Sequence, residues 1–417
     1  MLDNTAVQVH QPTRPYDPFD GPQLADPYPL LAEARQNAPV FYSPRLETWV
    51  VTRYRDIAAI LGAPDRFSST KSIHNVTVDL PQPVIEVLSG GIPYAGGLVD
   101  MDPPTHTIAR RLFNKAFTPR NVAGMTQLIE AQTRKLLDEA VAPPVDLATL
   151  LSHPLPVMII AGLFKVPDER LQDIKHWSDE WLLLNAQQAS VARLVAAASA
   201  VVDFQLYIAE LIEARRLNPL PADLLTDLLK ANAEREEPVG INVLVGVIMT
   251  MLLAGHETTS GLITHSIYQL CLHPDAMAEV LADPDLVDSV LTETLRFDPP
   301  TTAMYRTANV DVEIAGIRLP AGSHLHLSYS AGNRDPEVYS DPDRFDIHRT
   351  DTSSHLGFGH GIHYCIGSAL ALLEGRIALS AILERFAGLR LAAGYERHSV
   401  QSATIRVTPS LVVEWDS

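Results

Sequence analysis

A single cysteine in a glycine-rich run is the feature that most restricts what this chain can fold into. Residues 358–367 read FGHGIHYCIG, so Cys365 follows a bend and precedes an apolar, helix-forming stretch. Glycine allows tight bends and close backbone approaches because it carries no Cβ. Free N–H groups and the positive dipole at a helix start favour a thiolate, so we expect Cys365 to be an ionised metal ligand.

This run resembles the cysteine loop of the cytochrome P-450 superfamily, aromatic-Gly-x-Gly-x-His-x-Cys-x-Gly, followed here by Ala-Leu-Ala and Glu374. The resemblance implies haem b as the cofactor, Cys365 as the axial ligand of its iron, and Phe358 and Gly359 packed beside it. An axial thiolate on haem iron favours cleavage of the O–O bond. The family often has Arg where this chain has Leu372, and this departure leaves the ligand itself in place.

Composition narrows the classes of protein that remain. The 417 residues carry a formal net charge of −18, which disfavours a nucleic-acid partner. With two cysteines, Cys271 and Cys365, no disulfide framework is expected and a reducing compartment fits. The start of the chain lacks a signal pattern, and the longest apolar stretch, near 243–253, is too short to span a bilayer. We therefore expect a soluble, cytoplasmic, monomeric protein with no membrane partner.

Hydrophobic periodicity predicts a mainly α fold with small β-sheets. We expect a helix at 30–37, a strand pair within 41–54, a hairpin at 314–319 and a strand at 324–328. By resemblance this is the cytochrome P-450 fold, with haem buried between a long central helix and the helix after the cysteine loop. The motifs are scattered from residue 102 to 367 yet imply one site, so residues 1–417 are expected to form a single domain.

The long central helix is predicted over 241–272 and contains the sequence AGHETT at 254–259. Glycine inside a helix costs about 1 kcal/mol, and a following Thr can hydrogen-bond backward to a carbonyl, so we expect a kink or π-bulge at Gly255. The stretch is similar to the oxygen-activating segment of the resembled family. That similarity implies catalytic roles for Thr258, as a hydrogen-bonding partner of O2 or a nearby water, and for Glu257, in the proton supply.

Cationic side chains are expected to hold the haem propionates. Asp102, followed by two prolines, predicts a helix start with Asp102 as N-cap, so that His106 and Arg110 share one helix face. His106, Arg110, Arg306 and His363 match the propionate-binding positions of the resembled family. Charge-assisted hydrogen bonds of this kind are worth about 1.5–3 kcal/mol each.

A second pair of charges is predicted to be structural. Glu293 and Arg296 are three residues apart in a predicted helix, so they can pair on one face. They match the Glu-x-x-Arg signature of the resembled family, in which the pair supports the haem loop. Arg344 is a further candidate member of this cluster by the same resemblance.

Several segments are candidates for the substrate pocket by resemblance. The glycine-rich stretch 89–98 is predicted to be a flexible loop, and 183–201 offers Asn185, Gln187 and Gln188 as polar contacts. The specific wall residues that we expect are Ile248, Leu252, Ala254, Thr302 and Met304. The substrate is therefore expected to be a small apolar molecule.

The sequence as a whole favours a haem-thiolate monooxygenase that takes electrons from separate proteins, a ferredoxin-type donor with its reductase. The candidate docking surface for an acidic donor consists of three cationic residues, Arg111, Lys115 and Arg120. The alternatives are a peroxide-dependent haem-thiolate enzyme, a haem-based gas sensor or electron-transfer protein, and a zinc protein built on His360, His363 and Cys365. The intact acid–Thr pair argues against the first two, and the crowded ligand spacing argues against zinc.

Overall fold

Helices dominate the fold, and its strands form three small sheets. The computed structural model describes residues 10–19, 21–73, 80–186, 189–221, 223–400 and 402–416. The helices are α1 Gly21–Ala25, α2 Tyr28–Asn37, α3 Tyr54–Leu61, α4 Gln82–Leu88, α5 Thr105–Asn114, α6 Pro119–Ala123, α7 Thr126–Leu137, α8 Pro154–Leu163, α9 Leu171–Ala186, α10 Val191–Leu217, α11 Leu224–Ala233, α12 Ile241–Leu272, α13 Pro274–Ala282, α14 Val287–Phe297, α15 Tyr329–Gly332 and α16 Ser368–Arg385. The strands are β1 Val40–Ser43, β2 Thr48–Val51, β3 Phe67–Ser68, β4 Val145–Asp146, β5 Ala303–Ala308, β6 Val312–Ile314, β7 Ile317–Leu319, β8 His324–Ser328, β9 Arg390–Leu391 and β10 Val412–Glu414.

The helix α12 is the central element of the fold. It is apolar along most of its length, starts after Gly240 and ends at His273, where Pro274 begins α13. It packs against α8, α10, α14 and α16. Its first half lies in one hydrophobic cluster and its second half in another, so it joins the two largest parts of the core.

The largest sheet supplies a second wall next to this helix. Its strands follow the order β1-β2-β8-β5-β3, and β5 pairs antiparallel with β8. Successive side chains of a strand point to opposite faces, so Met304 and Arg306 of β5 share a face. The remaining strands form the hairpin β6–β7 and a small sheet of order β4-β10-β9.

The predicted fold class, mainly α with small β-sheets, is confirmed. The central helix has its predicted ends, and the predicted strand pair, hairpin and later strand correspond to β1–β2, β6–β7 and β8. The sheet of β4, β9 and β10 was not predicted, because its two- and three-residue strands are too short to show a periodic pattern. The predicted π-bulge at Gly255 is wrong, since residues 241–272 are all described and form a continuous α-helix.

Two helices, α10 and α12, are long and apolar enough to cross a membrane by length and composition alone. The apolar stretch near 243–253, expected to be too short to span a bilayer, is part of the longer helix α12. Half of the apolar window of α10 and two-thirds of that of α12 are buried inside the protein. Burial of this kind is what core helices of a large protein show.

Candidate functional site

A cavity of about 210 Å³, measured as the space open to the centre of a water molecule, lies between α12 and the segment that leads into α16. Thr250, Ala254 and Thr258 of α12 form a row along its wall. Residues four apart in a helix lie on the same face, which explains the row. Cys365 also lines this cavity, as do Met304 and Arg306 of β5, so the site contains the predicted thiol beside a largely apolar wall.

The loop before Cys365 is held in shape by its own backbone. The N–H of Cys365 donates to the carbonyl oxygen of Phe358 at 2.8 Å. Gly359 and Gly361 have φ values of 73° and 70°, which side-chain-bearing residues rarely adopt. A Cβ on Gly361 would lie 2.5 Å from the carbonyl oxygen of Leu61, at the end of α3. The close neighbour of Gly361 is therefore α3.

The pKa of the Cys365 thiol is shifted in the direction opposite to the one expected from sequence. Burial raises the pKa of the Cys365 thiol, and the Gly367 N–H and the Arg110 guanidinium lower it by less. The helix α16 begins only at Ser368, so the thiol precedes it. The expected bias of Cys365 toward the thiolate at a helix start is therefore outweighed by burial. A metal ion that coordinates a thiol would deprotonate it outright.

Two of the predicted cofactor contacts are buried polar groups short of partners. The Arg306 side chain is 5% exposed, and the hydrogen bond that its guanidinium makes runs to the carbonyl oxygen of Tyr305 at 2.7 Å. His106 is 2% exposed, and neither of its ring nitrogens has a hydrogen-bond partner. Burial and the nearby Arg110 lower the pKa of His106 to about 4. Buried polar groups are almost always hydrogen-bonded in proteins, so these groups fit a ligand with anionic oxygens.

The other two predicted contacts already bind protein atoms. Arg110 donates to the carbonyl oxygen of Tyr364 at 2.7 Å and lines the cavity. His363 has Nδ1 at 2.9 Å from the carbonyl oxygen of Leu98 and Nε2 at 3.0 Å from Ser69 Oγ. Because a carbonyl only accepts, Nδ1 carries the proton and Nε2 of a neutral ring accepts from Ser69. His363 therefore offers no free N–H to a carboxylate in this arrangement.

Asp102 has a different role from the helix cap that was predicted. The helix α5 begins at Thr105, and no side chain caps it. The carboxylate of Asp102 instead accepts from the Ser69 N–H at 2.7 Å and from Ser68 Oγ at 2.5 Å. Asp102 thereby ties the start of α5 to β3, next to His106 and His363.

Together these features fit haem b. The site contains a thiol on a glycine-bent loop, a largely apolar cavity, the unpartnered ring nitrogens of His106, and Arg306 with one hydrogen bond from its guanidinium. These features match an apolar ring with two carboxylates and a central iron. A zinc site does not fit, since no group of three or more His, Cys, Asp or Glu residues in the described part of the chain could hold a metal ion.

Thr258 lies on the cavity wall and faces away from the core. Its Oγ1 donates to the carbonyl oxygen of Ala254 at 2.9 Å, which is the backward hydrogen bond that the sequence suggested. The donated proton is used in this bond, so the lone pairs of Oγ1 remain available to accept a hydrogen bond from a molecule in the cavity. Gly255 serves packing, because a Cβ there would lie 2.7 Å from Cγ1 of Ile160 in α8.

Glu257 is adjacent in sequence but does not lie on the cavity wall. Its Oε1 is 3.1 Å from Lys175 Nζ in α9 and 3.0 Å from His256 Nε2. Burial alone would raise the pKa of Glu257, but the hydrogen bond and charge of His256 and the charge of Lys175 lower it to about 2. Lys175 also pairs with Asp179 and is 35% exposed, so the cluster connects the core to solvent.

The predicted pocket residues divide into two groups. Ala254 and Met304 lie on the cavity wall. Ile248 and Leu252 are both 0% exposed and pack in the core, because the helical period turns them away from the row at Thr250 and Ala254. Thr302 was expected on the wall, but Thr301 lines the cavity instead. The N–H of Thr302 donates to the carbonyl oxygen of Thr404, and the alternation of side chains along the strand begins only with β5.

The segment 183–201 does not line the cavity in its described part. Gln187 and Gln188 lie outside the described residues, and so does the side chain of Asn185.

Glu293 and Arg296 form a fully buried pair. Arg296 Nη2 and Nε each lie 2.7 Å from a carboxylate oxygen of Glu293. The carbonyl oxygens of Asn333 and Pro342 accept from Nη1 of Arg296. Arg344 contributes its carbonyl oxygen, and the side chain near Glu293 is that of Arg349, at 3.4 Å.

Two residues of the site were not assigned a role from sequence. Glu374 lines the cavity from α16 at 2% exposure, and its Oε2 has no hydrogen-bond partner. Burial raises the pKa of Glu374 well above its ordinary value, which favours the neutral carboxyl. The motif that includes Glu374 was the available signal. Ser69, which fixes the ring of His363, carried none because the two are 294 residues apart.

The chain is similar to known proteins over most of its length. A family model described as Cytochrome P450 matches residues 68–389. Cytochrome P450 107B1 of Saccharopolyspora erythraea is 38% identical over 354 residues, which cover 84% of this chain and 84% of that protein. The 6-deoxyerythronolide B hydroxylase of the same organism is 36% identical over 377 residues, covering 88% of this chain and 90% of that protein.

A solved structure extends the likeness to the fold. Cytochrome P450 CREJ in complex with (4-ethylphenyl) dihydrogen phosphate matches with a TM-score of 0.91 at 28% identity. The match covers 96% of this chain and 99% of that chain. A cavity closed on one side by a cysteine loop, in a fold of this kind, defines a haem-thiolate protein. The chain belongs to the cytochrome P450 family: it is a monooxygenase that binds haem b and uses O2, a small-molecule substrate and electrons from redox partners.

Proposed function

We propose that residues 1–417 act as one monooxygenase domain, in which Cys365 is the axial iron ligand of haem b and a small apolar molecule is hydroxylated beside Thr258. The observation that carries this proposal is the shared cavity, because Cys365, Thr258 and Arg306 all line it. Haem with an axial thiolate supplies oxygen activation and O–O cleavage. The net reaction converts a C–H bond, O2, two electrons and two protons into a C–OH group and water.

Binding of the cofactor is assigned to the remaining residues of the loop and of α5. Phe358 and Gly359 pack beside the thiolate, and Arg306, His106 and Arg110 bind the two propionates. Their positions on the cavity wall or directly behind it support this assignment. His363, whose ring nitrogens bind Ser69 and Leu98, braces the cysteine loop against the rest of the site.

Proton delivery is assigned to the neighbouring residues of α12. Thr258 Oγ1 accepts a hydrogen bond from a water in the cavity, which can in turn donate to O2, and its own proton stays directed at the carbonyl oxygen of Ala254. Glu257 is held as a carboxylate by Lys175 and His256, and Lys175 reaches solvent. A charged chain of this kind can pass a proton from bulk water toward α12 without leaving an unpaired buried charge.

The wall chemistry supports an apolar substrate. Leu98, Val99, Ala254 and Met304 supply much of the surface above the thiol. Ligand pockets are typically lined by apolar side chains with a few polar groups that fix orientation. Thr250 and Thr301 are among the residues on this wall whose hydroxyl groups can orient a substrate.

The definitive test is the absorption spectrum of the reduced, carbon-monoxide-bound protein. We expect a strongly red-shifted Soret band in the wild type, because a thiolate donates charge to the iron. Cys365→Ser should retain haem poorly and lose this band, whereas the matched control Cys271→Ser should keep it. A wild type that binds haem without the red-shifted band would disprove thiolate ligation and the proposed function with it.

The electron donor is proposed to be an acidic ferredoxin served by its own reductase, and the enzyme a cytoplasmic monomer. Arg111, Lys115 and Arg120 are exposed cations on or next to α5, in a chain of net charge −18. Complementary charge speeds association, and salt screens the effect. Arg111→Glu together with Lys115→Glu should slow reduction by a ferredoxin at least tenfold at low salt.

The matched control for this surface is Arg318→Glu, a charge reversal at an 85%-exposed side chain on the hairpin β6–β7. It should leave the rate of reduction within a factor of two. Equal rates for the α5 variant and the control, at low and at high salt, would refute docking at α5.

A further inference from the structure

The segment 92–101, which we call the strap, forms part of the cavity wall through Leu98 and Val99. It contains no helix or strand. Its glycines predicted a flexible loop, and a flexible loop above a cavity would act as a lid. In the structure the strap is attached to several different elements, and its glycines serve that attachment.

Glycines on both sides bring the strap backbone directly against α12. A Cβ at Gly97 would collide with the side chain of Thr250, and a Cβ at Gly246 of α12 would collide with the carbonyl oxygen of Gly96. Gly96 also has a φ of 92°, which favours glycine. The absence of side chains at these three positions therefore permits tight packing of the strap.

Asp100 ties the strap to itself at the same place. Its Oδ1 accepts from the Gly97 N–H at 2.5 Å and its Oδ2 accepts from the Tyr94 hydroxyl at 3.1 Å. The Tyr94 hydroxyl is in turn 3.4 Å from Thr250 Oγ1, and the Tyr94 ring packs edge-on against Trp181, with centroids 5.7 Å apart. Asp100 is 4% exposed and forms no ion pair within the described part of the chain.

The Asp100 carboxylate differs from a buried charge that joins several elements of the fold. Both of its described partners outside its own backbone belong to the strap, so its removal loosens the strap internally and breaks no hydrogen bond to another element. Hydrogen bonds to an ionised acceptor are worth about 1.5–3 kcal/mol each.

Further hydrogen bonds attach both ends of the strap. The N–H of Ile92 donates to Gln205 Oε1 in α10 at 2.9 Å. The carbonyl oxygen of Val99 accepts from Ser72 Oγ at 2.6 Å, and the carbonyl oxygen of Leu98 accepts from the cysteine loop at 2.9 Å. The strap is thus attached to α10, to α12 and to the cysteine loop without any ligand.

We propose that Asp100 is a positioning residue that holds the strap as a fixed wall, so that substrates are selected against a preformed surface and not enclosed by a closing lid. This inference rests on the proposed function in one respect, which is that the cavity binds the substrate. Molecules that are too bulky to fit beside Leu98 and Val99 are excluded because the wall does not move. Rigid apolar molecules that match its shape bind without the cost of ordering a loop.

The first experiment measures hydrogen–deuterium exchange in the haem-loaded, ligand-free enzyme. We expect strap amides of the wild type to exchange slowly, and those of Asp100→Ala to exchange at least tenfold faster. Tyr94→Phe, which removes one of the two bonds and keeps the ring, should give a smaller increase and serves if Asp100→Ala does not fold. The matched control is Asp311→Ala, which removes a carboxylate that accepts the exposed Ala321 N–H at 2.9 Å on the far hairpin.

The second experiment measures spectral dissociation constants for imidazole and for the bulkier 4-phenylimidazole. Asp100→Ala should change the ratio of the two constants at least fivefold, with the constant for imidazole itself within twofold of the wild type. A merely structural role would shift both constants together.

Either of two results would overturn the inference. One is a wild-type strap that exchanges freely until 4-phenylimidazole is bound, which is the behaviour of a lid. The other is an unchanged exchange rate in both Asp100→Ala and Tyr94→Phe. Exchange of the strap does not depend on iron ligation, whereas failure of the proposed function would appear as a missing red-shifted carbon-monoxide band, so the two failures are distinguishable.

Discussion

The pKa values of two buried carboxyl groups near the cavity are shifted in opposite directions by their surroundings. Glu257 is paired with Lys175 and His256, which lower its pKa to about 2 against the effect of burial. Glu374 meets no cation among its described contacts, and burial raises its pKa well above the ordinary value. Environments that push two pKa values apart separate a charged role from a neutral one. Glu257 is therefore held as a carboxylate, whereas the surroundings of Glu374 favour the neutral carboxylic acid.

The raised pKa of Glu374 predicts a pH-dependent stability. A group whose pKa is raised by folding contributes stability below its unfolded pKa, about 4.3, and this contribution is lost as pH rises through the folded pKa. Glu374→Gln has no carboxyl proton to lose. The melting temperature of this variant minus that of the wild type should therefore increase as pH rises from 5 to 9. Thermal melting of the holoenzyme across this range measures the difference.

Glu234→Gln, at an exposed position after α11, is the control, and it should show no such trend relative to the wild type. A constant difference between Glu374→Gln and the wild type across the range would mean that Glu374 does not titrate with a raised pKa.

At the scale of elements, α12 and α8 approach closely because of one small residue. A Cβ at Gly255 would lie 2.7 Å from Cγ1 and 3.2 Å from Cβ of Ile160, atoms near the backbone of α8 that cannot easily move. The helix therefore tolerates the cost of an internal glycine, about 1 kcal/mol, in exchange for its position beside the cavity.

Substitution of helical glycines should distinguish the effect of helix propensity on the free energy of unfolding from the effect of packing. Gly255→Ala should lower the free energy of unfolding by about 1–3 kcal/mol, because overpacking outweighs the gain in helix propensity. Gly162→Ala is the matched control in α8, where a Cβ would meet only Leu128 Cδ2 at 4.0 Å. It should raise stability by up to about 1 kcal/mol. Denaturant unfolding measures both, and stabilisation by Gly255→Ala would contradict the packing argument.

At the scale of the whole molecule, the Glu293–Arg296 pair joins distant parts of the chain. Arg296 donates to the carbonyl oxygens of Asn333, Pro342 and Arg344, which are 37 to 48 residues away. The side chain of Asn333 accepts from the Leu356 N–H at 2.6 Å, at the start of the cysteine loop. The pair thus connects α14 to the loop that carries the thiol.

Arg296→Lys should be far more damaging than its conservative appearance suggests. A lysine ammonium cannot make the planar set of bonds that Arg296 makes, and it leaves a buried charge and carbonyl groups unsatisfied. Breaking buried pairs typically costs about 3–5 kcal/mol, so we expect a lower melting temperature and faster loss of haem. Arg376→Lys, which alters a half-exposed pair with Asp288, is the control and should cost less than about 1 kcal/mol. Equal effects of the two variants would argue against a supporting role for Arg296.

The sequence by itself determined the features whose signal lies within one short stretch of chain. The cysteine run identified the thiol and the family, and the apolar stretch 241–272 predicted α12 with its observed ends. Such features are local, because a loop motif or a helical period is complete in adjacent residues.

The tertiary structure decided everything that depends on which distant groups meet. In the structure, Ile248 and Leu252 point into the core, and the ring of His363 binds Ser69 and Leu98. Arg349 lies beside Glu293, and a glycine-rich segment packs tightly against α12. The tertiary structure also raised the pKa of Cys365, against the expectation from its helix start. Burial and contacts between residues hundreds of positions apart set these properties, and no local pattern encodes them.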